Sequence, residues 1–216
     1  MNTSLERWNS IRKNIGNLQQ KSLPVCLVAV SKAQPASAIL PLLEAGQRIF
    51  AENRVQEAKT KWPELRVIYP EIELHLIGSL QTNKVKEALS LFDVIQTVDR
   101  VQLVDAILRE WQPGVRCTRF FIQVNTGEEP QKNGVLPADL SALLGYCRAA
   151  SLPVAGLMCV PPIDKPPEPY FSMLHARARE YNLSCLSMGM SGDYEIAIEQ
   201  GATHVRIGTA LFGERR

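Results

Sequence analysis

The stretch that decides the fold runs from Val25 to Asn53, VCLVAVSKAQPASAILPLLEAGQRIFAEN. It begins and ends with apolar runs of strand length, VCLVAVSK and RIFAEN. Between them, ASAILPLLEAG carries apolar residues three or four positions apart, which is typical of an amphipathic helix. Gly46 follows this helix where a left-handed cap is favoured, and the next strand begins just after it. A strand, a helix and a second strand in this order predict a parallel β-α-β unit.

The same alternation continues along the chain, with helical patterns such as TNKVKEALSLF and RVQLVDAILREW between apolar runs. The eight expected strands are VCLVAVSK (25–32), RIFAEN (48–53), IELHLIGS (72–79), DVIQTVD (93–99), TRFFIQVNT (118–126), VAGLMCV (154–160), CLSMGM (185–190) and HVRIGTALF (204–212). Eight repeats in 216 residues predict an α/β fold, a single (β/α)8 barrel domain over residues 1–216, rather than a doubly wound open sheet. An extra helix from Ser4 to about Gln20 is expected to plug or flank the bottom of the barrel.

Composition and charge exclude several classes of protein. Hydrophobic residues make up 45% of the chain and charged residues 21%, as in ordinary globular domains. A net charge of +2, with scattered basic residues, predicts binding neither to nucleic acid nor to a membrane. No apolar run has the length of a membrane span, and the charged N-terminal stretch does not resemble a signal peptide. Five cysteines without CxxC spacing are expected to be reduced, buried thiols with no metal site, in a cytoplasmic protein.

Lys32 ends the apolar first strand, so it is expected at the C-terminal rim of the barrel, where catalytic groups collect. Two interpretations are open. It is a solvated lysine at a strand end, or it is an amine that loses part of its solvation in the barrel mouth and condenses with an aldehyde.

Two loops each pair a glycine with a hydroxyl residue. One loop follows the seventh strand, and the other lies within the eighth apolar run. They contribute Ser191, Gly192, Gly208 and Thr209. Barrels commonly bind phosphate at these two loops, where backbone N–H groups and hydroxyls can surround a phosphate monoester. Each glycine taken alone is better explained by a plain strand-to-helix turn, and it is the pair of loops on adjacent strands that indicates a phosphate site.

Arg206 lies two residues before Gly208, close enough to point into the barrel mouth. A buried arginine needs a partner. The partner is either an acidic residue inside the barrel, such as Glu52, or a heterocyclic nitrogen of a ligand, to which the guanidinium donates a hydrogen bond.

With these residues assembled, the sequence resembles a known family over nearly its whole length. The matching stretches are AVSK (29–32), ENRVQEA (52–58), HLIGSLQTNK (75–84), QVN (123–125), GLM (156–158), LSMGMSGDYEIAI (186–198) and VRIGTALFG (205–213). In this order and spacing they resemble the YggS/PROSC family of pyridoxal 5′-phosphate (PLP) homeostasis proteins. The resemblance implies a PLP-binding barrel similar to the N-terminal domain of bacterial alanine racemase. Ala51 stands where the family more often has glycine, a departure that concerns only local backbone geometry.

The resemblance also implies roles for individual residues. Lys32 is implied to hold C4′ of PLP as a Schiff base, and Arg206 to face the pyridine nitrogen. The implied phosphate ligands are Ser191, Gly192, Gly208 and Thr209. The further implied cofactor contacts are Asn53, His75 and Met188, although His75 and Met188 are equally compatible with simple packing. Gln81 and Lys84, just after the third strand, are assigned no specific role.

An arginine at the pyridine nitrogen, unlike a carboxylate, does not stabilise a protonated ring, so PLP held this way is a poor electron sink. Racemases of this barrel type tolerate the arginine, but they need a second acid/base, a tyrosine from a separate domain of the partner subunit, and the present sequence ends at Arg216. We therefore expect a monomeric carrier and regulator of PLP and amino-acid homeostasis rather than an enzyme, with PLP-dependent apoenzymes as recipients.

Two alternatives stay open at this point. One is a small PLP-dependent amino-acid racemase or lyase, for which Tyr170 is the candidate second base. This tyrosine ends the proline-dense stretch VPPIDKPPEPY (160–170), interpreted as either a stiff lid or a rigid connector on the C-terminal face. The other alternative is a PLP-free barrel that binds another phosphorylated metabolite.

Overall fold

The fold is a closed barrel of eight parallel strands. The computed structural model describes residues 3–19 and 24–214. The strands are, in chain order, β1 (Cys26–Val30), β2 (Ile49–Glu52), β3 (Glu73–Leu76), β4 (Val94–Val98), β5 (Arg119–Val124), β6 (Val154–Cys159), β7 (Cys185–Ser187) and β8 (His204–Ile207). Each strand pairs in parallel with its sequence neighbours, and β8 closes the ring against β1, with Arg206 beside Val28. The predicted (β/α)8 barrel is confirmed.

Helices cover the outside of this barrel. They are α1 (Ser4–Gln19), α2 (Ala36–Glu44), α3 (Val55–Ile68), α4 (Val85–Leu91), α5 (Val101–Glu110), α6 (Leu140–Ala149), α7 (Glu168–Glu180), α8 (Tyr194–Glu199) and α9 (Thr209–Phe212). The apolar faces of strands and helices share one core, in which Trp62, Phe92 and Phe171 are fully buried. Among the described residues, no helix is long and apolar enough to cross a membrane.

The last strand is followed by only one turn of helix, α9, and α1 packs beside it as part of the outer layer. α1 contacts α2, α8 and α9. Trp8 Nε1 donates to Gln47 Oε1 at 2.9 Å, and Arg7 Nε donates to the Leu211 carbonyl at 2.8 Å. The helix expected near the N-terminus therefore flanks the barrel. Its expected end near Gln20 lies outside the described residues.

The prediction of one strand over residues 204–212 is wrong in its second half. The strand ends at Ile207, and Thr209–Phe212 form α9. HVRIGTALF is a continuous apolar run, and such a run has no periodicity that separates a buried strand from a buried turn of helix. The structural change occurs at Gly208, where the chain leaves the sheet, so the hydroxyl of Thr209 lies at the start of a helical turn rather than within a strand.

Candidate functional site

A cavity of about 930 Å³ opens at the C-terminal ends of the strands. Its volume is within the range of pockets that hold small molecules. Six of the residues singled out from the sequence lie in its wall, namely Lys32, Ser191, Gly192, Arg206, Gly208 and Thr209. They come from the ends of β1, β7 and β8, which the closed barrel places side by side. The lysine, the arginine and the two glycine loops thus face one space, as expected from their positions at strand ends.

Lys32 follows β1 by two residues and is half-buried in the cavity wall. The backbone on both sides of it is held by Lys61, which reaches over from α3. Lys61 Nζ donates to the Ser31 carbonyl at 2.9 Å and to the Gln34 carbonyl at 3.0 Å. The Lys61 side chain is only 7% exposed. Because these carbonyls bracket Lys32, the position of the loop that carries it depends on a buried cation.

Two carboxylates complete this anchoring. Glu57 Oε1 accepts the backbone N–H of Ala33 at 2.6 Å. Ala33 has a left-handed φ of 58°, which residues other than glycine rarely adopt. Glu52 Oε1 lies 2.8 Å from Lys61 Nζ and also accepts the hydroxyl of Ser31 at 2.7 Å. The residue after Lys32 therefore holds an unfavourable backbone conformation that the surrounding contacts impose.

Glu52 is fully buried, and burial raises the pKa of its carboxyl, an effect that the hydrogen bond and charge of Lys61 partly offset. The ion pair of Glu52 is with Lys61, not with Arg206, so the salt bridge considered for Arg206 in the sequence does not form. Lys61 was not singled out from the sequence, because a lysine in the middle of a helix is most often exposed to solvent.

The two glycine loops are joined by a hydrogen bond. The backbone N–H of Ala210 in α9 donates to Ser191 Oγ at 3.1 Å, and this bond ties the loop after β7 to the loop after β8. Apart from Gly192 and its two chain neighbours, no atom of the described residues lies within 4 Å of the position that a Cβ on Gly192 would occupy. Asp193 also lies in the cavity wall, and its Oδ1 accepts the backbone N–H of Met190 at 2.6 Å. The joined loops leave open space in front of Gly192 for an anionic group.

Arg206 lies in the same wall and is only 3% exposed. Its guanidinium donates from Nη1 to Ser187 Oγ at 2.8 Å and from Nη2 to the Cys159 carbonyl at 2.7 Å. Burial lowers the pKa of Arg206, and burial also raises the pKa of the neighbouring Cys159 thiol to about 12, so this thiol is protonated. Since a guanidinium has five N–H donors, these two bonds leave Arg206 able to donate to a ligand in the cavity.

The other three residues implied by the family resemblance lie outside the wall of the cavity. Met188 is fully buried in the main hydrophobic core. His75 is fully buried as well, and both of its ring nitrogens are hydrogen-bonded to protein side chains. Asn53 follows β2. Its carbonyl oxygen lies so close to Gly78 that a Cβ added to Gly78 would be 2.0 Å from this oxygen. Direct cofactor contact by these three residues stays a prediction.

The proline-dense stretch forms one side of the cavity and is braced from a second loop. Pro161 and Pro162 are buried in the wall, and Lys132 Nζ from the loop after β5 donates to the Pro161 carbonyl at 3.0 Å. Tyr170 lies in α7, outside the cavity wall. Lys84 also lies outside the wall and forms an ion pair with Glu87 at 3.2 Å. The signal in the sequence that this loop lies at the mouth was its position directly after the sixth strand.

Comparison with known proteins gives a family match over most of the chain. The model of the alanine racemase N-terminal domain matches residues 7–216. The pyridoxal phosphate homeostasis protein of Aquifex aeolicus is 42% identical over 200 residues, which cover 88% of this chain and 87% of that protein. The human protein of the same name is 37% identical over 210 residues, 88% of this chain and 76% of that protein.

Solved structures give the same architecture. PipY of Synechococcus elongatus with PLP bound superposes with a TM-score of 0.82 at 36% identity, over 98% of this chain and all of that one (100%). Alanine racemase of Bacillus anthracis superposes with a TM-score of 0.67 at 18% identity, over 96% of this chain and 56% of that one. At this low identity, the likeness to the racemase shows the fold alone.

Proposed function

We propose, from the premise that this chain belongs to the family of pyridoxal phosphate homeostasis proteins, that it binds PLP at Lys32 and acts in PLP and amino-acid homeostasis as a carrier or regulator. The observation that carries the proposal is the convergence of Lys32, Arg206 and the two glycine loops on one cavity. A structural relative at 36% identity holds PLP, which supports the same ligand here.

The residues in the wall match the chemical groups of PLP one by one. Lys32 would hold the aldehyde carbon of PLP through a C=N bond, whose formation from an amine and an aldehyde releases one water. The phosphate would be held by Ser191, Gly192, Gly208 and Thr209, through hydroxyls and backbone N–H groups of the two joined loops. Arg206, already fixed by two hydrogen bonds, would donate to the pyridine nitrogen.

Arg206 also favours binding over catalysis. A guanidinium only donates hydrogen bonds and keeps its charge, so it leaves the ring nitrogen unprotonated and the cofactor a weak electron sink. The racemase or lyase alternative relied on Tyr170 as the second base, and this tyrosine lies in α7 outside the cavity wall. Efficient proton transfer needs a strong electron sink and a second base beside the cofactor. Because the ring held by Arg206 is a weak electron sink and Tyr170 lies outside the cavity wall, we propose a homeostasis role without robust turnover.

The remaining parts of the proposal concern the setting of the protein. The five cysteines are all free thiols, which suits a reducing compartment and supports a cytoplasmic location. We propose that residues 1–216 form one PLP-binding domain, that it acts as a monomer, and that PLP-dependent apoenzymes receive its cofactor. Light scattering on the purified protein, and transfer of PLP to an apoenzyme measured by recovery of its activity, check the last two points.

Borohydride reduction tests the attachment site directly. The purified protein incubated with PLP is expected to show a long-wavelength absorption band that borohydride abolishes, because reduction converts the C=N bond into a stable amine. Peptide mapping should then find the cofactor on Lys32 and not on Lys132 or Lys165, the two other lysines of the cavity wall. A band that resists borohydride, or a label spread evenly over these lysines, would contradict the proposed site.

The homeostasis role predicts an absence of efficient catalysis. With a panel of L- and D-amino acids, followed by chiral chromatography, we expect no racemase, transaminase or decarboxylase turnover near the range of about 1–10³ per second that is typical of enzymes. Turnover of even a few per second that is lost in Lys32→Ala would favour the enzyme alternative.

A further inference from the structure

Five side chains form a continuous line of hydrogen bonds through the barrel. Arg206 Nη1 donates to Ser187 Oγ at 2.8 Å, and this hydroxyl donates to Gln96 Oε1 at 2.6 Å. The Gln96 amide donates from Nε2 to His75 Nδ1 at 2.7 Å, and His75 Nε2 donates to Glu73 Oε1 at 2.6 Å. We call Ser187, Gln96, His75 and Glu73 the interior relay. It begins at the arginine in the cavity wall and ends at a carboxylate.

The bond from Arg206 and the three bonds within the interior relay all run in the same direction. A guanidinium has no acceptor, so the Ser187 oxygen must accept from Arg206 and give its own hydrogen to Gln96. The oxygen of the Gln96 amide therefore faces Ser187, and its NH₂ group faces His75. His75 Nδ1 then accepts, which places the ring hydrogen on Nε2, where it points at Glu73. The orientation of each member is thus set by the arginine at one end and the carboxylate at the other.

The interior relay crosses the inside of the barrel. Gln96 belongs to β4 and Ser187 to β7, three strands apart around the ring, so their bond spans the interior. Ser187, Gln96 and His75 are each fully buried. Apolar side chains fill other parts of the barrel strands, in two clusters around Val28 and around Phe121. A buried polar line costs desolvation that apolar side chains would avoid, so the interior relay is not explained by hydrophobic packing of the barrel.

The far end of the interior relay carries a fixed negative charge. Glu73 is the first residue of β3, at the end of the barrel opposite the cavity, and it also forms an ion pair with Arg119. Burial acts to raise the pKa of Glu73, but the hydrogen bond from His75 and the charge and hydrogen bond of Arg119 outweigh it and hold this pKa below its usual value. Among the described residues, Arg206 forms no ion pair with a carboxylate, so Glu73 is the anion to which its hydrogen bonds lead.

We propose that Ser187, Gln96, His75 and Glu73 are positioning residues that act through Arg206 on the bound cofactor. The relay fixes the rotation of the guanidinium, so that its remaining donors point into the cavity toward the ring nitrogen. Bonds aligned in one direction in a low-dielectric interior polarise one another, and the carboxylate strengthens Ser187 as the acceptor for Arg206. His75, which the family resemblance implied to contact the cofactor, would instead act on it through Gln96, Ser187 and Arg206. This inference rests on the proposed function.

Ser187→Ala tests the relay at its first link. It removes the acceptor for Nη1, and we expect the PLP dissociation constant to rise by about tenfold, the scale of one hydrogen bond to a charged group, with a shift of the absorption maximum of the bound cofactor. Ser187→Thr keeps a hydroxyl and should restore the wild-type maximum. PLP titration followed by absorbance gives both quantities, and thermal unfolding of the PLP-free proteins reports stability separately.

Thr203→Val is the matched control for Ser187→Ala. Thr203 is the residue before β8, and its Oγ1 accepts the backbone N–H of Leu186 in β7 at 2.8 Å. This hydroxyl therefore also links the two strands, but it lies outside the interior relay. Its loss should lower the unfolding temperature and leave the PLP dissociation constant and absorption maximum unchanged. If Ser187→Ala behaves in the same way, the relay only satisfies buried polar groups, and the positioning role is wrong.

Glu73→Gln keeps the test decisive if the Ser187 variants fail to fold. It replaces the carboxylate that faces His75 and Arg119 by a neutral amide. We expect a rise in the PLP dissociation constant of about twofold and a shift of the absorption maximum in the direction seen for Ser187→Ala. Glu71→Gln is its control, because Glu71 is exposed and pairs with Arg48 outside the relay. Identical spectra for Glu73→Gln and wild type would overturn the relay alone, whereas a wild-type protein without a reducible band would overturn the proposed function as well.

Discussion

Lys32→Ala is expected to abolish the long-wavelength absorption of the PLP-loaded protein completely. The variant lacks the only group at this position that can condense with an aldehyde, while the rest of the wall still offers Arg206 and the joined glycine loops. It should therefore retain weak, non-covalent PLP binding that gel filtration removes. The fold should be preserved, because Lys61 and Glu57 still hold the backbone around residue 32 in the variant. Absorbance before and after gel filtration measures the first effect, and urea unfolding the second.

Lys165→Ala is the matched control for this experiment. Lys165 also lies in the cavity wall, on the proline-dense loop, and is exposed. This variant should keep a full-strength, reducible band. A Lys32→Ala protein with a wild-type band would move the attachment site to another lysine of the wall, and borohydride mapping of that variant would identify it.

The sequence predicted the parts of this structure that depend on local order along the chain. Strand-length apolar runs that alternate with amphipathic helices predicted the parallel barrel, since the crossover of a parallel pair needs an intervening segment. The same reasoning placed Lys32 and the loops of Gly192 and Gly208 together, because all three follow or end strands, and the C-terminal ends of parallel strands share one face. Their common cavity is the direct consequence of this topology.

Contacts between distant parts of the chain were not predictable in this way. The bond from Ser187 to Gln96 joins residues 91 positions apart, and the bond from Lys61 to the Ser31 carbonyl joins residues 30 apart. No periodicity or spacing in the sequence identifies such partners, since each depends on the three-dimensional register of strands and helices. For the same reason the sequence left Arg206 with Glu52 as a possible partner, whereas Glu52 pairs with Lys61 in the structure.

Lys61 links stability and function in one side chain. It neutralises Glu52, which is fully buried, and it holds the two carbonyls that bracket Lys32. Removing one member of a buried ion pair leaves the other charge without compensation, which is far more costly than losing a surface pair. The loop that carries Lys32 would lose both of these anchors at once. A change at Lys61 is therefore expected to affect unfolding and PLP binding together.

Lys61→Met is expected to destabilise the protein by about 3–5 kcal/mol, the cost of leaving a buried carboxylate unpaired. Because the whole stability of a domain is typically about 5–15 kcal/mol, this is a large fraction of it. The midpoint of urea unfolding measures the loss. In the folded fraction, PLP should be retained less well, because Ser31 and Gln34 no longer share a donor that fixes the loop.

Two further variants separate the buried pair from general effects of losing a lysine in α3. Lys59→Met removes a lysine of the same helix that is 65% exposed and pairs with Glu87 at the surface, and it should cost less than about 1 kcal/mol. Glu52→Gln added to Lys61→Met removes the stranded charge and should recover part of the lost stability, while the loop stays loose and PLP retention stays low. If Lys61→Met cost no more than Lys59→Met, or if the double variant were no more stable than Lys61→Met, the uncompensated charge of Glu52 would not be the cause, since only that charge predicts both differences.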